Sequence, residues 1–257
     1  MPIKYIDYNQ AKEPTGLRMI VVGGLPSPWG EAAKGIFHIK KIPFSAVYHN
    51  PHDKEMANWA GSPSAPVAIY ENEAPHSSWK DILLLAERLS PERTLLPEDP
   101  TDRALTLKLC HDICGEMGLG WVRRLEGVHK GLKGEKGGFP EMIAKYLAYK
   151  YGYHQQQSTD SSARIIELLN MLTARLKMQH NAGKRFYVGS TLSAVDIYSA
   201  TFMAYFKPLP AEQCPMDETI RTVFETLDEQ VLAALSPILI EHRDFIYSEF
   251  LELPLSL

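Results

Sequence analysis

The sequence predicts a small mixed α/β half followed by a larger all-helical half. Three observations carry this. A short apolar run rich in β-branched residues, Leu17 to Val22, stops at Gly23-Gly24. Strand-type and helix-type patterns then alternate to about residue 90. Beyond the proline-punctuated stretch Ser90 to Pro100, only helical periodicity remains. A chain of 257 residues suits two modest domains, and 45% hydrophobic residues suffice for a sizeable core.

The run from Leu17 reads as a buried strand. Ser27 then offers a helix N-cap, Pro28 fits the first helical position, and Glu31 sits favourably in the first turns. Trp29, Ala32, Ala33, Ile36 and Phe37 recur at helical spacing, and the helix closes at Lys40-Lys41 before Pro43. Phe44 to Tyr48 reads as a second strand, Asp53 to Ala60 as a short helix, and Val67 to Tyr70 as a third strand. A fourth strand through Pro75 has to be short or at an edge. Ser78 to Leu89 reads as a helix with Ile82, Leu85, Ala86 and Leu89 on one side. The first β-α-β is expected to be a parallel pair with a right-handed crossover. This order is the thioredoxin pattern.

Past the linker, helical patterns run over 101–129, 141–151, 161–181, 194–206, 218–234 and 238–250. Gly115, Gly118 and Gly120 are expected to kink or split the first of these. The predicted domains are 1–91 and 92–257.

A net charge of −4 gives no electrostatic footprint for nucleic acid. The aromatic cluster Tyr146, Tyr149, Tyr151 and Tyr153, without a basic excess, reads as core and pocket packing. No apolar run reaches the length of a membrane span, and the first residues do not form a secretory signal. Three cysteines, Cys110, Cys114 and Cys214, are too few for a disulfide framework. Cys110, His111 and Cys114 share a helix but lack further ligands at metal-site spacing, so no metal is expected. The expectation is a soluble cytoplasmic protein that binds neither nucleic acid nor membrane.

Four segments, Ser27-Pro28-Trp29-Gly30, Ala65-Pro66-Val67, Ser77-Ser78 and Gly189 to Tyr198, together span most of the chain and resemble the cytosolic glutathione S-transferases, serine-type. Ser27-Pro28-Trp29-Gly30 lies between the first strand and helix, where the serine-type enzymes place a catalytic serine. Ala65-Pro66-Val67 matches the cis-proline that opens the third strand. Ser77-Ser78 stands where the family usually has Glu-Ser at a helix start. Gly189 to Tyr198 resembles the second-domain signature Gly-x-x-x-Ser-x-x-Asp-Ile, in which Ser193 and Asp196 form a capping box. The linker Leu95-Leu96-Pro97-Glu98-Asp99-Pro100 is also typical of the family.

The resemblance implies a thioredoxin-like domain binding glutathione and an all-α domain supplying the electrophile pocket. It implies Ser27 as catalytic residue, with Ser27, Trp29, Ala65, Pro66, Ser77 and Ser78 binding glutathione. The loop before Pro66 is about two residues longer than the family's, and Ser77 lacks the usual acid. The electrophile pocket is expected around Met117 to Trp121, with Arg123 or Arg124 as anion contacts, and the chain from Asp244 to Leu257 is expected to fold back over the body. His49, His52 and Lys54 lie where the family often supplies a cation for the glycyl carboxylate. The implied activity is addition of glutathione sulfur to a small hydrophobic electrophile, as in detoxification, by a homodimer. The alternatives are a non-catalytic ligand-binding or protein-interaction member, or a glutathione-dependent isomerase or dehalogenase. A glutaredoxin-like activity needs cysteine where this chain has Ser27.

Overall fold

The computed structural model describes residues 3–154 and 161–257. Its α/β part comprises β1 (Lys4–Tyr5), α1 (Tyr8–Ala11), β2 (Leu17–Val21), α2 (Pro28–Ile39), β3 (Phe44–Tyr48), α3 (Lys54–Ala60), β4 (Val67–Tyr70) and α4 (Trp79–Leu89). The helical part comprises α5 (Pro100–Cys114), α6 (Leu119–Leu132), α7 (Glu141–Lys150), α8 (Ser161–Asn181), α9 (Ala194–Phe202), α10 (Glu218–Glu225), α11 (Glu229–Ala234) and α12 (Pro237–Phe250).

The sheet order is β1-β3-β2-β4. β2 and β3 pair in parallel, as the first β-α-β predicts, and β4 runs antiparallel to β2. Alternation along the strands sorts side chains to two faces. Met19, Val21, Ala46 and Ala68 join the large core with α2 and α4. Ile20, Val47, Val67 and Ile69 point the other way and meet Ala11, Met56 and Ala60. The fold is thus a thioredoxin-like layer with helices on both faces, beside an all-helical part.

The structure supplies four details that the sequence leaves open. β1 and α1 precede the first predicted strand, and Asp7 caps α1 through its side chain. The fourth strand shrinks to a single bridge, Ala68 to His76, because Pro75 has no N–H to extend a ladder. The long helix of 101–129 is broken, with α5 ending before Gly115 and α6 starting after Gly118. Similarly, the 218–234 pattern divides into α10 and α11.

The two parts share one core. α2 is buried on the sheet side and again where it meets α9, so its apolar face wraps most of its circumference. The linker is fastened rather than loose. Leu95 and Leu96 are buried, the Leu95 N–H donates to Glu87, and the Leu95 carbonyl accepts the Ala194 N–H at the start of α9. The predicted capping box is present at α9, where the Asp196 Oδ2 accepts the Ser193 N–H and hydroxyl at 2.9 and 2.8 Å.

Candidate active site

β2 ends at Val21, and the chain reaches α2 through a short loop. Ser27 is the N-cap of α2, with extended backbone (φ −63°, ψ 114°). Its carbonyl accepts the Glu31 N–H at 2.8 Å, yet its hydroxyl makes no capping hydrogen bond. Pro28 has no N–H, so the N–H groups of Trp29 and Gly30 remain at the helix start without an intrahelical acceptor. The result is a 5% exposed hydroxyl beside two free amides at the positive end of a twelve-residue helix.

The sheet register brings the other segments to the same end. Ile20 opposes Val67 in the antiparallel pair, so Ala65 and Pro66 lie just past the ladder, next to the β2 exit loop. The Ala65–Pro66 bond is cis. Ala68 opposes His76, so the chain runs back toward Pro66 before α4 begins, and Ser77 and Ser78 return to that edge. Ser78 caps α4, accepting the Asp81 N–H at 3.0 Å and donating its hydroxyl to Asp81 Oδ2 at 2.6 Å. Ser77 is exposed. An acid absent at position 77 is therefore present one turn further along, as Asp81.

His49, which the sequence leaves among three candidates, is at this edge too. It follows β3, its N–H donates to the Val21 carbonyl at 2.8 Å, and its ring bonds the Pro63 carbonyl. Burial and the charge of Lys150 hold the imidazole below its usual range. His52 and Lys54 are exposed.

The indole of Trp29 turns toward the helical part. Its Nε1 donates to the Cys114 carbonyl at 2.8 Å, and its ring meets Phe202 and Tyr205 edge-on. Only the Trp29 backbone remains at the start of α2 to meet a ligand there. Gly120 makes this contact possible, since a Cβ there would lie 2.3 Å from Phe202 and 3.1 Å from Trp29. The guanidinium of Arg124 stacks on Trp29, with 4.3 Å from its carbon to the ring centre. Arg123 is instead held by Glu126 and by four backbone carbonyls, so it serves the helix packing. Sequence reasoning missed Lys150, whose charge acts on both Arg124 and His49; the adjacent Tyr151, read as pocket packing, was the only signal.

Burial pushes the Cys110 and Cys114 thiols well up, which denies them thiolate character. Among the described residues no cluster of three His, Cys, Asp or Glu side chains could hold a metal ion, and no helix is long and apolar enough to cross a membrane.

No protein-family model and no curated protein matches the sequence. Solved structures do match. A glutathione S-transferase from Methylobacterium radiotolerans, in complex with glutathione sulfonate, superposes with a TM-score of 0.61 at 18% identity, over 91% of this chain and 92% of its own. One from Methylobacillus flagellatus with glutathione bound gives 0.62 at 14% identity, over 91% and 96%. This chain has the glutathione S-transferase fold. Within that fold the similarity spans classes and activities. The beta-etherase LigF from Sphingobium gives 0.56 at 15% identity, over 90% of this chain and 100% of its own.

Proposed function

We propose that the chain is a glutathione transferase, with Ser27 activating the thiol of glutathione for attack on an electrophile. One observation carries the reading: an N-cap serine whose hydroxyl does not cap its own helix. That hydroxyl is available to a sulfur, and the Trp29 and Gly30 amides add to it. A thiolate there gains a hydrogen bond and the helix dipole, which lowers its pKa from about 8.5 toward neutrality. The free backbone of Ala65, beside Pro66, pairs with the cysteinyl part. The start of α4 at Ser77 and Ser78 takes the γ-glutamyl group, with Asp81 meeting its ammonium in place of the missing acid. Residues 1–91 act as the glutathione domain and 92–257 as the electrophile domain of a cytoplasmic homodimer.

The test is retention on immobilised glutathione followed by conjugation to 1-chloro-2,4-dinitrobenzene. Ser27→Ala is expected to lower kcat by about 10²-fold, as for loss of one donor to an anionic centre, with little change in glutathione affinity. An unchanged rate in a folded variant assigns Ser27 to packing alone. A second reading, a glutathione-binding protein without turnover, draws on the Ser78 hydroxyl being engaged by Asp81. Retention without conjugation would favour it.

A further inference from the structure

Arg123 and Arg124 are neighbours on α6 with opposite surroundings. Arg123 meets Glu126 at 2.6 Å. Arg124 meets no carboxylate among the described residues. Its carbon lies 4.3 Å from the Trp29 ring centre, 5.0 Å from Tyr151 and 5.8 Å from Tyr205. Its nitrogens donate to the phenol oxygens of Tyr151 and, at 2.7 Å, of Tyr205. Lys150, at the end of α7, is a second half-buried cation on the same wall, 5.6 Å from the Tyr151 ring centre. It too lacks a carboxylate among the described residues. Among other buried cations, Lys34 is matched by Glu31, Lys40 by Glu87, and Lys130 by Glu126 and Asp228, while Arg18 is held by three backbone carbonyls.

Two cations flanking one ring repel each other and lose hydration. An anion placed against both reverses each cost. Guanidinium binds a carboxylate in a planar, directional way, while ammonium adds a point charge. Trp29 and Tyr151 supply flat apolar walls. We propose that Arg124 and Lys150 recognise the negative group of an aromatic carboxylate, which makes such acids the acceptor class of this cleft. The inference rests on the proposed transferase activity and names its second substrate. Trp29, two residues past Ser27, connects the anion site to the sulfur site. Burial and, after it, the charge of Arg124 hold the Lys150 ammonium down to about 8, the expected mark of a cation without a partner. The proposed function gives glutathione's γ-glutamyl carboxylate to the start of α4, and competition with S-methylglutathione tests whether its glycyl carboxylate takes this site instead.

The experiment is equilibrium binding of 4-nitrobenzoate and its uncharged analogue 4-nitrobenzamide to the full chain, followed by tryptophan fluorescence and calorimetry, with and without S-methylglutathione. The acid is expected to bind about tenfold tighter or more, a ratio within reach of one charge-assisted hydrogen bond. Arg124→Met and Lys150→Met are each expected to erase that ratio. If Arg124→Met does not fold, Lys150→Met carries the test alone. Equal affinity for acid and amide, a ratio that survives in the folded variants, or displacement of the acid by S-methylglutathione would each overturn the proposal. Because the readout is binding, absent conjugation counts against the transferase activity and leaves this ratio measurable.

Discussion

At the residue scale, the cleft is defined by side chains released from their usual duties. An N-cap serine ordinarily bonds the amides of its own helix. Ser78, Asp53 and Asp99 do so, whereas Ser27 does not, nor does Ser236 at the Ser-Pro start of α12. Ser27 was legible in the sequence because Ser-Pro-aromatic marks a helix start locally. Arg124 was not separable from Arg123, because adjacent helical positions point about 100° apart and, Glu126 aside, their partners lie on other elements. Those partners are Tyr151, Tyr205 and Trp29 for one, and Glu126 and the chain around Val223 for the other. Lys150 gives a direct prediction. With its ammonium held down to about 8, it carries substantial free amine at pH 8. Limited acylation at pH 8, mapped by peptide mass spectrometry, should label Lys150 ahead of exposed lysines such as Lys4. Arg124→Met removes a nearby positive charge, so the Lys150 pKa rises and its labelling slows. Equal labelling in both proteins would show that the two cations do not sense each other.

At the element scale, close helix approach sets the cleft. α6 begins after a break, and Gly120 lets its first turn press against Phe202 and Trp29. Gly120→Ala puts a methyl group into filled space, and rigid aromatic rings have to move. The expected cost is ~1–3 kcal/mol, read as a lower urea midpoint. Quenching of Trp29 fluorescence should change with it. A substitution without effect on either would mean the α6 start adapts freely. The glycines at 115, 118 and 120 announced a break, but not that it would serve a tryptophan from 91 positions earlier. The elements with strong periodicity, α2 and α4, were legible. β1 and α1, with two and four residues, are too short to carry a period, and only tertiary pairing makes them visible.

At the scale of the whole molecule, polar ties fasten the two parts around one core. Lys40 is buried and bonds Glu87 and the Arg93 carbonyl, which pins the linker. Glu31 and Lys34 form a buried pair at 2.7 Å on α2, and Lys34 also holds the Ser256 carbonyl at 2.6 Å. The C-terminal segment thus folds back as the sequence suggests, with the Leu255 N–H on the Gln213 carbonyl. Lys34→Met leaves Glu31 buried without its partner, and removing one member of such a pair costs about 3–5 kcal/mol. Burial already pushes the Glu31 carboxyl up, with Lys34 opposing. A carboxyl raised in the folded state favours folding below its unfolded value of 4.5 and loses that benefit as pH rises through the folded value. The variant's deficit in urea unfolding should therefore be larger at pH 8 than at pH 5. A deficit independent of pH would mean Glu31 is not the group left exposed to that cost.

The central claim is that the Ser27 hydroxyl and the start of α2 turn bound glutathione into a thiolate near neutral pH. Ultraviolet difference titration of the binary complex tests it most directly, because thiolate and thiol absorb differently. The thiolate midpoint should fall below the free-thiol value of about 8.5 and return toward it in Ser27→Ala. A midpoint at the free value in the wild type, or one equally depressed in Ser27→Ala, would contradict the account.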